Sequence, residues 1–205
     1  MKHFVVTLGR SCGSGGVEVG RTLAKKLGVE YYDSKLLRLA SDDSGISEEL
    51  FARADEKLKK TLLFKVSRKS YGGEVIPPES ADFTSNENLY NYQAKVIRSL
   101  AEQSSCVIIG GDSILQDFPG LLRVFISGSY DKCAAREAED HAIKLKAAYE
   151  KVDRINKYRA DYHMYHTGKV WGHPGNYDIC LSTDHLTPDE CADLIIAALH
   201  TRFGA

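Results

Sequence analysis

The residues best suited to chemistry stand near the start of the chain: Gly9-Arg10-Ser11-Cys12-Gly13-Ser14-Gly15-Gly16, directly after the apolar run Phe4-Val5-Val6-Thr7-Leu8. A short buried strand, a turn of small residues and a helix make a phosphate cradle. Glycines let successive backbone N–H groups face an anion, and the helix N-terminus adds its dipole. The helix is readable in Val19, Leu23 and Leu27, four residues apart, with Gly28 as its stop. Gly13, Ser14, Gly15, Gly16 and Val17 are therefore the expected phosphate-binding residues. The loop departs from the pattern G-x-x-x-x-G-K-[ST]. Gly16 stands where the lysine belongs, and Glu18 where a magnesium-binding hydroxyl would be. Arg10 is a candidate replacement cation, because a guanidinium binds phosphate in bidentate fashion; a surface ion pair is the competing expectation for it. Glu18 suits the helix dipole in its own right.

Other reactive types are scattered. Cys12 sits near a helix N-terminus, where thiol pKa values fall, yet no arginine closes the turn beyond it as a cysteine phosphatase would need. His163, His166 and His173 lie close together, with Asp161 nearby. A metal site there would need further ligands, and the metal reading is not adopted. Trp171, before Gly172-His173-Pro174-Gly175, is expected to anchor a returning segment rather than to stack on a base.

The elements that must position these residues follow a βαβ pattern. Short apolar runs at His3–Leu8, Cys106–Gly110, Leu122–Ser127 and Asp178–Ser182, with a weaker one at Val29–Tyr32, alternate with helical stretches. Thr187-Pro188-Asp189-Glu190 marks the last helix with an N-cap, a first-turn proline and a capping-box glutamate. Two stretches fall outside the sheet: about 40–100, polar and helix-rich, and about 129–172, strongly charged. Both are expected to face the C-terminal ends of the strands, where an open α/β sheet binds its ligand; a solvated helical pair is the plainer alternative for the second.

Bulk properties exclude several classes. The 205 residues suit one α/β domain, and a net charge of −1 with 43% hydrophobic residues gives neither a nucleic-acid-coating nor a membrane-attracting surface. No apolar stretch reaches the roughly 20 residues of a membrane span, and the N-terminus lacks the pattern of a signal peptide. Five cysteines (12, 106, 133, 180, 191) without a C-x-x-C pair suggest a reducing cytoplasm. Repeats are absent.

Three stretches carry a resemblance to the bacterial cytidylate kinase-like family, a divergent branch of the P-loop nucleoside monophosphate kinases. The first is Arg10-x-x-Gly13-Ser14-Gly15-Gly16, continuing through Leu27-Gly28 to Tyr31-Tyr32-Asp33. The second is Cys106-Val107-Ile108-Ile109-Gly110, with Ile114-Leu115 after it. The third runs from Arg159-Ala160 through Tyr162-His163 and Tyr165-His166-Thr167-Gly168-Lys169 to Trp171-Gly172, ending in Asn176-Tyr177-Asp178.

The resemblance implies an α/β fold: a three-layer P-loop NTPase-type parallel sheet flanked by helices, in a single kinase-like domain over 1–205. It also implies a helical acceptor-binding insert at about 40–100 and an arginine-bearing lid at about 129–172. The implied activity is ATP-dependent phosphoryl transfer with Mg²⁺ to a nucleotide or small-molecule acceptor, with CMP-like substrates the first expectation. Arg10, Arg154 and Arg159 are then the catalytic cations, with Lys157 a further lid cation, and Asp33, Ser34 and Asp112 the acceptor-side residues. Gly111 replaces the arginine such kinases carry at this strand end, so Arg98 or Arg123 would have to substitute. Asn156 replaces a lid aspartate. The alternative function is a non-catalytic nucleotide- or anion-binding regulator with a kinase-like fold; a kinase for a non-nucleotide acceptor is a third.

Overall fold

Five short strands, the middle three buried on both faces and the two edge strands half-exposed, align in one direction because helices cover the sheet on either side. The computed structural model describes residues 3–33 and 86–204. Along the chain come β1 (Val5–Arg10), α1 (Gly16–Leu27), β2 (Glu30–Tyr32), α2 (Asn86–Gln103), β3 (Cys106–Ile109) and β4 (Leu121–Ser127). They are followed by α3 (Tyr130–Asp140), α4 (Leu145–Thr167), a 3₁₀ turn (Pro174–Asn176), β5 (Ile179–Ser182) and α5 (Pro188–Phe203). The strand order is β2-β3-β1-β4-β5, with parallel pairing throughout.

Side-chain alternation sorts the core into two layers. Val5, Ile108 and Leu121 face one side and pack under Ala94, Ile97 and Ala101 of α2. Val6, Leu8, Val107, Leu122 and Ile126 face the other, against Val19 and Leu23 of α1 and Ile195 and Leu199 of α5. This is the expected three-layer arrangement. Thr187 and Glu190 form the capping box at the start of α5, and Gly204 ends that helix in a left-handed conformation.

The strand positions read from sequence are close to those found, with one informative difference. β1 runs past Leu8, because Gly9 and Arg10 remain paired with Phe125 and Ile126 of β4. Arg10 is a strand residue, not a loop residue, so the sheet fixes the direction of its side chain. The expected insert at about 40–100 lies mostly outside the described residues, as does Ser34; its last part is α2.

The charged stretch 129–172 forms the α3–α4 hairpin, closed by Cys133, Ala134, Ala148 and Val152, and Cys12 of the glycine loop is buried in the same cluster. That packing decides against a merely solvated helical pair. Among the described residues, no helix is long and apolar enough to cross a membrane.

Candidate functional site

The glycine loop connects β1 to α1 at the C-terminal edge of the sheet, beside the point where β3 and β4 flank β1 on opposite sides. An open α/β sheet forms its crevice at such a position. Gly13 and Gly15 take positive φ values of 72° and 74°. Gly15 is the N-cap of α1, and no side chain caps the helix. The N–H groups of Gly16, Val17 and Glu18 in the first turn therefore lack intrahelical partners and remain available to an anion. Ser14 is fully buried, and its hydroxyl donates to the Ser11 carbonyl (2.8 Å). Its N–H donates to the same carbonyl (3.3 Å) and its own carbonyl accepts from Thr183 Oγ1 (2.8 Å), so Ser14 shapes the loop.

Gly16 has a second role. A Cβ there would lie 2.6 Å from Cβ and 3.1 Å from Cγ of Arg10. The space in which a lysine at this position would begin is filled by the arginine's stem. The Arg10 guanidinium turns toward Asp33 (4.0 Å), and burial lowers its pKa although Asp33 opposes the shift. Its Nε is buried without a hydrogen-bond partner. From the opposite wall, Arg159 of α4 donates through Nη1 to the Arg10 carbonyl (2.8 Å). Burial, with Arg10 next to it, brings the Arg159 pKa down to about 10. Two guanidiniums thus share one partly dry corner, with the carboxylates of Asp33 and Glu137 nearby.

That corner opens into a cavity of about 480 Å³. Gly9 and Arg10 of β1, Asp33 after β2 and Ile97 of α2 form one side. The turn Gly110-Gly111-Asp112-Ser113 after β3 forms the floor, and Tyr158, Arg159, Tyr162 and His163 of α4 close it with Trp171. Tyr158, Arg159, Tyr162 and His163 follow the helical i, i+1, i+4, i+5 spacing that places them on one face.

At the end of this face the His163 ring stands 3.8 Å (Nδ1) from Asp112 Oδ2. Burial raises the Asp112 carboxyl and lowers the His163 imidazole from their usual ranges. Trp171 meets Phe125 edge-on (5.3 Å), so it both anchors the return to the sheet and lines the cavity.

A brace holds the loop from behind. Asn156 Oδ1 accepts the Cys12 N–H (2.8 Å), which ties the loop to α4. Arg136 of α3 donates to the Gly13 carbonyl (3.3 Å), to Thr183 Oγ1 (2.8 Å) and to the Thr183 carbonyl (2.7 Å). Thr183 Oγ1 in turn lies 2.8 Å from the Ser14 carbonyl. The Cys12 thiol donates to Glu137 (3.3 Å), and burial beside that carboxylate pushes it up to about 11. The lowering expected at a helix N-terminus is overridden, and Cys12 is a packing group here.

Of the residues picked out from sequence, Gly13–Val17, Arg10, Arg159, Asp33 and Asp112 come together at the loop and the cavity. Arg154 does not join them; it is exposed on α4 and absent from the cavity wall. Lys157 pairs with Asp161 (2.8 Å) on the helix surface. Glu18 points outward to Arg21 (3.4 Å). Arg123 is held by Asp178 through Nε (3.2 Å) and Nη2 (3.0 Å), and Arg98 is exposed on α2. Neither lines this cavity. His173 accepts the Gly175 N–H through Nδ1. Sequence reasoning left unassigned His163 opposite Asp112, Arg136 and Thr183 behind the loop, and the fit of Gly16 to Arg10. The His163 spacing from Tyr162 and Arg159 was a signal for the first. Arg136 and Thr183 meet the loop across more than a hundred residues, and the fit of Gly16 to Arg10 depends on how the loop between them folds back, so neither leaves a local pattern.

The family model described as the cytidylate kinase-like family matches residues 5–185. The chain belongs to the cytidylate kinase-like family. Among solved structures, this family member is similar to an uncharacterized protein from Eubacterium ventriosum ATCC 27560, at 25% identity and a TM-score of 0.70, covering 97% of this chain and 99% of that one. Shikimate kinase from Acinetobacter baumannii, solved in complex with shikimate, superposes with a TM-score of 0.52 at 14% identity, covering 98% and 94%. Shikimate kinase from Bacteroides thetaiotaomicron gives 0.52 at 12%, covering 98% and 99%. These shikimate kinases share the fold, a parallel five-stranded sheet between helices. No curated protein matches the chain. The cytidylate kinase-like assignment thus makes the protein kinase-like and names no substrate.

Proposed function

We propose that the protein is an ATP-dependent phosphotransferase of the cytidylate kinase type, in which Arg10 takes the place of the missing loop lysine. The observation that carries this is the meeting of Arg10 and Arg159, from β1 and α4, at the mouth of the glycine loop, with Gly16 vacated for the Arg10 stem. Phosphoryl transfer asks a protein for positioning and charge stabilisation rather than covalent help. The N–H groups of Gly13, Gly15, Gly16 and Val17 would hold the donor phosphates, with Ser14 shaping the turn between them. Arg10 and Arg159 would neutralise the charge that spreads over the phosphoryl oxygens in flight. The acceptor would lie in the cavity, its hydroxyl oriented by Asp33, with Asp112 farther along. In this reading the α3–α4 hairpin is the lid, within one kinase-like domain.

Magnesium, when bound with ATP, supplies further neutralisation of the phosphates. Mg²⁺ keeps several waters and needs only one or two carboxylates beside the phosphates. Asp33, next to Arg10, fits that requirement; Glu18, turned to Arg21, does not.

The test is calorimetric titration of ATP with and without Mg²⁺, followed by turnover with CMP and a set of small alcohols. ATP should bind more tightly with Mg²⁺. Arg10→Ala and Arg159→Ala should each lower turnover on the order of 10²–10³-fold. Turnover intact in both variants overturns the reading. One observation favours a second reading, a nucleotide- or anion-binding regulator: the loop's only serine beyond Cys12 spends its hydroxyl on Ser11, leaving no magnesium-binding hydroxyl. ATP binding indifferent to Mg²⁺, without turnover, would establish that reading instead.

A further inference from the structure

Behind the glycine loop lies a buried polar cluster that lines no part of the cavity and that the phosphoryl-transfer reading leaves without a task. Thr183 follows β5, and its N–H donates to the Ser127 carbonyl (2.8 Å) at the end of β4, so the sheet fixes its backbone. Its hydroxyl lies 2.8 Å from the Ser14 carbonyl and 3.1 Å from the Ser127 carbonyl. Arg136 donates through Nη1 to the same hydroxyl oxygen (2.8 Å) and through Nη2 to the Thr183 carbonyl (2.7 Å). The guanidinium thereby takes a lone pair of the hydroxyl and leaves its one proton for a carbonyl, of which Ser14 is the nearer. Gly128 makes the space: a Cβ there would stand 3.2 Å from Thr183 Oγ1 and 3.5 Å from Arg136 Nη1.

Peptide geometry carries the effect to the anion side of the loop. A trans peptide unit is planar, so its C=O and N–H point in opposite directions, and no cis bond occurs among the described residues. In the Ser14–Gly15 unit the carbonyl is drawn back to Thr183, which aims the Gly15 N–H forward. The unit before it is held at both ends, by Arg136 on the Gly13 carbonyl (3.3 Å) and by the Ser11 carbonyl on the Ser14 N–H (3.3 Å). Gly15 has open space where a Cβ would stand, so packing does not set its direction, and a glycine left to itself turns freely.

We propose that Thr183, oriented by Arg136, is a positioning residue for the phosphate donor: it aims the Gly15 N–H and so sets the affinity of the loop for phosphate. The inference rests on the reading of the glycine loop as the phosphate site. Neither residue touches the phosphates; both act through the Ser14–Gly15 unit. A donor group aimed in advance loses no freedom when the anion arrives, whereas a loose one must be ordered first.

The experiment titrates ATP by calorimetry into the full chain and into Thr183→Val, Thr183→Ser and Gly128→Ala. Asp178→Asn is the control, because its lost ion pairs lie at the opposite end of β5. Thr183→Val should weaken ATP binding on the order of tenfold, the worth of one hydrogen bond to a charged group. Gly128→Ala should weaken it in the same direction by crowding the hydroxyl. Thr183→Ser keeps the hydroxyl and should bind like the wild type, as should Asp178→Asn despite its lower thermal transition. A merely structural loss lowers the number of sites titrated and leaves the dissociation constant alone. In ¹⁵N-labelled protein the Gly15 amide signal, assigned from Gly15→Ala, should move with ATP in the wild type and Thr183→Ser, and move less in Thr183→Val. The proposal is overturned if Thr183→Val and Gly128→Ala both bind ATP like the wild type, or if Thr183→Ser is as weak as Thr183→Val. It is also overturned if Asp178→Asn weakens binding as much as Thr183→Val does. If Thr183→Val does not fold, the Gly128→Ala affinity decides. A wild type that binds no ATP removes the phosphate site, and with it both this proposal and the phosphoryl-transfer reading; wild-type binding with unmoved variants removes this proposal alone.

Discussion

The stem of Arg10 fills the space in which a side chain at position 16 would begin. A lysine that begins at the first residue of α1 and an arginine that begins at the last residue of β1 reach the same corner by different routes, and only one stem fits. Gly16 is small because Arg10 passes over it, with Cβ and Cγ at 2.6 and 3.1 Å from the Cβ it lacks. Two expectations follow at this scale. Gly16→Ala should displace Arg10 and weaken phosphate binding nearly as much as Arg10→Ala does, on the order of tenfold for one lost charge-assisted contact. Deleting the Arg10 side chain should free the space, so Arg10→Ala/Gly16→Lys should bind phosphate more tightly than Arg10→Ala alone. Calorimetry with inorganic phosphate checks both. If the double variant binds no better, Arg10 does not occupy the place of the lysine.

Between elements, the decisive contact is the one α3 makes with the loop. Gly13 holds a left-handed conformation, and a Cβ there would stand within 2.2 Å of the Cys133 carbonyl, a backbone atom on α3 that cannot swing away. Gly15 has nearly the same φ but open space around it. Gly13→Ala should therefore cost about 3 kcal/mol or more, strain and clash together. Gly15→Ala should cost only the left-handed penalty of roughly 1–2 kcal/mol. Urea denaturation of the two variants measures the difference, and equal costs would mean that α3 does not press on the loop. Arg136 acts from the same helix. Arg136→Ala removes three hydrogen bonds to Gly13 and Thr183 and should destabilise by about 2–3 kcal/mol. The α3–α4 hairpin is thus bonded to the phosphate loop at Cys12, Gly13 and Arg10, so changes in one should register in the other.

Across the whole molecule, what the sequence disclosed depended on the range of the physics involved. Strands and α5 were legible because burial on both faces and helix capping are written into neighbouring residues; the β1 boundary was not, since Gly9 and Arg10 owe their extended state to β4. The loop, Asp33, Asp112 and Arg159 could be read, whereas the contacts of Arg136 with Gly13 and Thr183 arise when distant segments meet, and the fit of Gly16 to Arg10 arises when the loop between them folds back. The same long-range logic governs acid stability. Asp178, just before β5, accepts from Arg123 on β4 and pairs with Arg202 (2.7 Å) on α5, joining the sheet edge to the last helix. Burial opposes its ionisation, but the Arg123 and Arg202 bonds prevail and bring its pKa down to about 2. An unfolded aspartate titrates near ~3.9, so the folded form holds its proton less tightly and this carboxylate contributes about 2 kcal/mol of stability above pH ~4. That contribution should fade as pH falls from about 4 to about 2 and stay constant on the neutral side. Asp178→Asn should flatten the acid limb of the stability curve over that interval, while lowering stability at pH 7 by a similar amount. Urea melts from pH 2 to 7 on both proteins give the comparison; parallel acid limbs would mean that the Arg123–Asp178–Arg202 tie contributes nothing to holding β4, β5 and α5 together.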